Sequence, residues 1–216
     1  MTCFPMILSA PSGGGKTTIA RALLARRPDL GYSVSCTTRA PRPNERPGRD
    51  YYFMTRSEFL AERERGAFAE SAEVHGNLYG TRRSEVERVL ASGHHVVMDI
   101  DPQGARQFMR AFPQTVTIFI LPPSAEVLLD RLRARKTENP VELAARLTSA
   151  LQELQAVDEY QYVVVNDDLE RAVVGVGSIV DAEVMSRSRV KDLRQQVGQL
   201  IERLEQEIQN NTNHTP

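Results

Sequence analysis

Short apolar runs alternate with stretches in which apolar residues recur every three or four positions. Phe4 to Ser9, His95 to Ile100, Thr115 to Leu121 and Tyr162 to Asn166 have the length and composition of buried strands. Thr17 to Arg27, with Ile19, Leu23 and Leu24 on one face and Pro28 at its end, has the pattern of a helix. Strands separated by helical material predict an α/β fold, a parallel sheet core flanked by helices.

Between Ser33 and Gly80 the rhythm breaks, and Pro41, Pro43, Pro47, Gly48, Gly76 and Gly80 punctuate short strand-like pieces around one helix near Ser57 to Arg65. This segment reads as an inserted β-rich lobe. Leu128 to Arg135 and Val141 to Asp158 read as two arginine-bearing helices joined by a polar turn, a pair able to move. Past Ile179 a heptad-like seam of Val190, Leu193, Val197, Leu200 and Leu204 appears, blurred by Ile201 and Ile208, and Asn210 to Pro216 form a polar, frayed end. The expected organisation is a core of residues 1–32 and 82–182, with the lid at about 128–158, a lobe of 33–81, and an amphipathic extension of 183–216.

Charge narrows the function classes. Lys and Arg total 27 against 28 Asp and Glu, so no global basic field attracts nucleic acid or an acidic membrane, and any anion site is local. No apolar stretch approaches the ~20 residues needed to cross a bilayer. Two cysteines, Cys3 and Cys36, make no disulfide framework, and a cytoplasmic location is expected.

The strongest local motif is SAPSGGGKTT, Ser9 to Thr18, placed after a strand and before a helix. Gly13, Gly14 and Gly15 let successive N–H groups turn inward around phosphate oxygens, and the helix start adds its positive end. Lys16 neutralises the outer phosphates, and the Thr17 hydroxyl suits a magnesium ion that keeps most of its water. Ala10 stands where the motif expects glycine, which is admissible if that residue needs no positive φ. In the lobe, Arg39, Arg42, Tyr51 and Tyr79 make an inventory suited to a second phosphate, whereas Arg46 and Arg49 read as solvated. Glu70 and Asp101 are carboxylates able to accept the ring N–H and amino protons of guanine, with Ser35 and Thr81 as donors to its carbonyl oxygen. From spacing alone, Glu70 reads as an ordinary surface carboxylate.

SAPSGGGKTT, SCTTRAPRPNERPGRDYYF (Ser35 to Phe53), EVHGNLYGT (Glu73 to Thr81), DIDPQG (Asp99 to Gly104) and VVNDDL (Val164 to Leu169) together resemble guanylate kinase, over about Met6 to Ala182. The resemblance implies transfer of the terminal phosphoryl group of ATP to GMP, and to dGMP, with magnesium. It implies Ala10, Pro11, Ser12, Gly13, Gly14, Gly15, Lys16, Thr17, Thr18 and Asn166 as ATP contacts, Asn166 near the adenine. Ser35, Arg39, Arg42, Tyr51, Glu70, Tyr79, Thr81 and Asp101 match GMP contacts. Asp99 matches a carboxylate reaching magnesium through water, and Arg131, Arg135 and Arg146 match lid arginines that close on the transferring phosphates; Arg133 reads as solvated. Besides Ala10, the chain departs from the family pattern at Ser71, Leu78 and Lys136.

No histidine among His75, His94, His95 and His214 is placed as a base, and none is required, because GMP attacks through an already anionic phosphate oxygen. Two alternatives stand beside this reading: a P-loop kinase of a sugar phosphate, which needs no guanine-reading carboxylates, and a non-catalytic interaction module, against which Lys16, Thr17 and Asp99 argue. The expected partners are the two substrates, with no nucleic acid or membrane, and the C-terminal seam leaves a homo-oligomer open.

Overall fold

The computed structural model describes residues 2–43, 45–74, 76–133 and 140–212. In chain order the elements are β1 (Pro5–Ser9), α1 (Lys16–Arg26), β2 (Leu30–Tyr32), β3 (Cys36–Thr37), β4 (Tyr52–Phe53), α2 (Arg56–Glu64), β5 (Phe68–Val74) and β6 (Asn77–Arg82). There follow α3 (Arg83–Ala91), β7 (His95–Asp99), α4 (Pro102–Ala111), β8 (Val116–Leu121), α5 (Ala125–Arg133), α6 (Pro140–Gln155), β9 (Tyr162–Val165), α7 (Leu169–Val184) and α8 (Leu193–Thr212).

The main sheet has the order β2-β7-β1-β8-β9, and every neighbouring pair is parallel, as the apolar runs predict. β1 is buried along its whole length, since a strand covered by helices on both faces needs no polar side. Ile7, Val86, Val96, Met98 and Phe108 share one core cluster. Register sets the site: Leu8 pairs with Asp99 on one side and Ile118 on the other. The carboxyl ends of β1 and β7 therefore finish together, where open α/β sheets bind ligands. The edge strand β2 escapes the periodicity reading because it has three residues and a central glycine, too few to show a period.

The inserted lobe is a second sheet of order β4-β3-β6-β5, in which β5 and β6 form an antiparallel hairpin and β3 pairs antiparallel with β6 and parallel with β4. α2 starts with a capping box. The Thr55 side chain accepts from Glu58 N (3.2 Å), and Glu58 Oε2 accepts from Thr55 N (2.7 Å). Cys36, Phe59, Phe68 and Leu78 make the lobe's own small core, with Phe59 stacked on Phe68 at 4.4 Å. Leu78 is thus a packing residue.

Contacts divide the chain into a unit of Cys3–Ile179 and a second that joins Thr2 to the residues from Val180 onward. Within the second, Thr2 N donates to the Arg189 carbonyl (3.1 Å), and α8 reaches Thr212, three residues into the stretch expected to fray. Among the described residues no helix is long and apolar enough to cross a membrane.

Candidate active site

β1 runs into the loop Ala10 to Gly15, and α1 begins at Lys16. Gly13 and Gly15 have φ of 83° and 95°, the left-handed region open to glycine. Gly14 is required for space: a Cβ there would lie 2.7 Å from Ala10 Cβ and 2.9 Å from the Pro11 oxygen, to which Gly14 N donates. Ala10 is fully buried and has no positive φ, so alanine serves where the motif expects glycine. A cleft of about 630 Å³ opens over this loop, lined also by Thr18, Arg131 and Asn166. Arg131 lies alongside Gly13, and its Nη1 is buried with no hydrogen-bond partner among the described residues, a donor suited to an anion. Asn166 is buried under the loop, its Nδ2 donating to the Gly14 carbonyl (2.9 Å). In this structure it is a strut for the loop, whereas the resemblance sets it beside an adenine.

A second cleft, of about 800 Å³, meets the first at Lys16 and Thr17 and is lined by Ser35, Tyr51, Glu70, Tyr79, Asp99 and Asp101. Its floor corrects the surface reading of Glu70, which is 6% exposed. The pairing of β5 with β6 shifts register between Phe68 and Glu70, so Phe68, Ala69 and Glu70 are all buried instead of alternating. Glu70 Oε1 accepts from Thr81 Oγ1 (2.7 Å), and the Ser35 hydroxyl is 3.5 Å from the same Thr81 oxygen. Burial pushes the Glu70 carboxyl up to about 7; the Thr81 hydrogen bond opposes this and the charge of Asp101 adds to it. Asp101 caps α4, accepting from Gly104 N (2.8 Å) ahead of Pro102 in the first turn. Gly104 lets that helix come close: a Cβ there would lie 2.8 Å from Glu70 Oε2 and 2.6 Å from Ile100 Cγ2.

At the lobe end, Arg39 donates from Nε to the Tyr79 hydroxyl (3.3 Å) and stands 5.4 Å over the Tyr51 ring. Its Nη2 is held by both oxygens of Glu45 (2.9 and 3.0 Å), a partner the sequence reading did not single out. The pair keeps Glu45 below its ordinary carboxylate range, chiefly through that hydrogen bond. Arg42 offers its backbone N–H to Glu45 (2.8 Å) while its side chain is exposed, and neither it, Arg39 nor Thr81 is among the residues lining the cleft. Arg146 is also outside both linings. It is buried, and its Nη1 donates to the Leu132 carbonyl (3.0 Å), tying α6 to the end of α5. Arg135, Lys136, His75 and His214 lie outside the described residues.

Where the clefts join, Asp99 collects two short hydrogen bonds, from Thr17 Oγ1 to Oδ2 (2.6 Å) and from the Tyr32 hydroxyl to Oδ1 (2.6 Å). Burial first, then the charge of Asp99, raises the Tyr32 phenol above its ordinary range, so it stays a proton donor. Tyr32 has no motif signal in the sequence. No cluster of three or more His, Cys, Asp or Glu able to hold a metal occurs among the described residues. One hydroxyl and one carboxylate fit a magnesium ion that arrives on phosphate oxygens with its own water. From α6, Glu153 reaches the glycine loop, its Oε2 accepting from Ser12 N (2.7 Å). It also lines both clefts.

Residues 3–183 match the family model described as guanylate kinase. The guanylate kinase of Nitrosomonas europaea is 46% identical over 199 residues, 92% of this chain and 96% of that protein. That of Thermotoga maritima is 46% identical over 186 residues, 86% and 90% of the two chains. The crystal structure of guanylate kinase from Anaplasma phagocytophilum superposes with a TM-score of 0.74 at 37% identity, covering 90% of this chain and 93% of the other.

Proposed function

The chain belongs to the guanylate kinase family, and on that premise we propose how its residues move the terminal phosphoryl group of ATP to GMP, giving ADP and GDP. The observation that carries the reading is the junction of two clefts at Lys16 and Thr17, one over a glycine loop and the other over a buried carboxylate. Neither a sugar-phosphate kinase nor a silent module is favoured beside it.

The loop N–H groups, Lys16 and Arg131 hold the donor phosphates. Tyr51 and Tyr79 in the second cleft, with Arg39 beside them, hold the GMP phosphate, which competes with Glu45 for the Arg39 guanidinium. Glu70 and Asp101 accept the guanine N–H protons, and Ser35 and Thr81 face the carbonyl edge. Aligned in this way, an anionic GMP oxygen bonds to the terminal phosphorus as its bond to the bridging oxygen breaks, and no proton has to be removed. Magnesium carried on ATP supplies neutralisation of the phosphate charge, with Thr17 and Asp99 as the residues that would hold it and its water. The two free thiols fit a cytoplasmic setting.

The deciding experiment is ADP release with GMP, dGMP, AMP, UMP and ribose bisphosphate offered as acceptors. GMP and dGMP are expected to support turnover, and release driven equally by AMP or by the bisphosphate would overturn the reading. A subtler outcome concerns Tyr32. Tyr32→Phe deletes one of two hydrogen bonds to Asp99 and is expected to raise the magnesium concentration for half-maximal rate roughly tenfold, with the KM for GMP unmoved. A magnesium profile identical to that of the unaltered protein would remove Tyr32 from the mechanism.

A further inference from the structure

The family match ends at residue 183, ahead of α8. On that twenty-residue helix Val197, Leu200, Ile201, Leu204 and Ile208 are each between 43% and 65% exposed. Their three- and four-residue spacing, begun by Leu193, puts them on one stripe, and such an apolar face is stable in water when something covers it. The stripe is symmetric about the bond between Leu200 and Ile201: Leu193 stands as far before it as Ile208 stands after, and Val197 as far as Leu204.

Charge is not symmetric. Arg187, Arg189, Lys191 and Arg194 stand at or before the first turn with Asp192 among them and Arg189 tied to Glu183 (3.1 Å), while Glu202, Glu205 and Glu207 gather in the second half. The one arginine there, Arg203, is tied to Glu207 on its own helix (2.9 Å). Arg194 and Glu205 lie on the same edge of the stripe.

We propose that α8 is a self-assembly element that pairs antiparallel with α8 of a second copy of this chain. A two-fold axis through the centre of the stripe sets Leu193 against Ile208, Val197 against Leu204 and Leu200 against Ile201. Because that operation brings like edges together, Arg194 of each copy comes beside Glu205 of the other. That charge pair forms twice across the axis, and the helix dipoles oppose. A parallel pair would stack basic on basic and acidic on acidic. The proposal rests on no part of the phosphoryl-transfer reading.

Sedimentation equilibrium of the full chain tests it. The expected mass is twice that of the chain, falling to a single chain in the Leu200→Glu, Leu204→Glu double variant. Arg194→Glu alone and Glu205→Arg alone are each expected to raise the dimer Kd roughly tenfold, since each acts at two symmetry-related pairs, and the two together to restore it. These surface swaps leave the apolar stripe untouched, so they report on pairing even if the glutamates cost helix. In a parallel pair the two residues stay about 16 Å apart along the axis, and their effects add instead of cancelling. A single-chain mass for the unaltered protein, a dimer indifferent to the glutamates, or additive swaps would each overturn the proposal.

Discussion

Lys16→Met is expected to lower kcat roughly 10²- to 10³-fold while GMP binds almost as before. The side chain stands at the junction of the clefts, where charge passes from donor to acceptor. A fixed cation at such a point contributes roughly 2–4 kcal/mol to the transition state. In the proposed arrangement GMP affinity rests on the Arg39 and tyrosine group and on the carboxylates, which the substitution leaves in place. Single-turnover kinetics beside an equilibrium GMP titration separates the two quantities. An equal loss in both would place Lys16 in the acceptor site and contradict the assignment of the loop to ATP.

Glu70→Gln is expected to trade specificity for stability. An amide offers one acceptor and one donor where guanine presents two donors, so the preference for GMP over AMP should fall roughly 10- to 100-fold. The fold should gain over the same pH range. A carboxyl raised from 4.5 to about 7 by burial holds its proton more tightly folded than unfolded. Its cost to the fold is therefore complete above pH 7, fades as pH falls from 7 to 4.5, and is gone below that. Urea unfolding at pH 8 should show the glutamine variant more stable by about 1–3 kcal/mol, with the gap closing toward pH 5. GMP affinity should fall more steeply for the unaltered enzyme than for the variant as pH drops through 7, the second proton of the GMP phosphate itself being common to both. Unchanged base discrimination, or a gap that widens on acidification, would refute the role given to this carboxyl.

Much of the fold was legible because its strongest signals are local. The runs that become β1, β7, β8 and β9 are mostly apolar, and the glycine loop declares itself by spacing. Glu70 was not legible in that way. Its burial depends on a register shift in β5 and on the close approach of Gly104 in α4, and neither leaves a trace in the alternation of FAESAEV. Tyr32 sits at the end of a three-residue strand, and its role appears only when β7 brings Asp99 beside it. Arg146 shows the opposite case: the arginine is visible in the sequence, but the structure uses it to join two helices, where its distance from the clefts is a matter of how α5 and α6 pack.

The contact between Glu153 and the Ser12 amide has a consequence for traffic through the site. One N–H serves one strong acceptor, so any anion that takes that amide evicts the carboxylate, and α6 loses a tether to the loop at the moment of arrival. Glu153 and an incoming anion therefore compete for a single donor, on the helix that also carries Arg146.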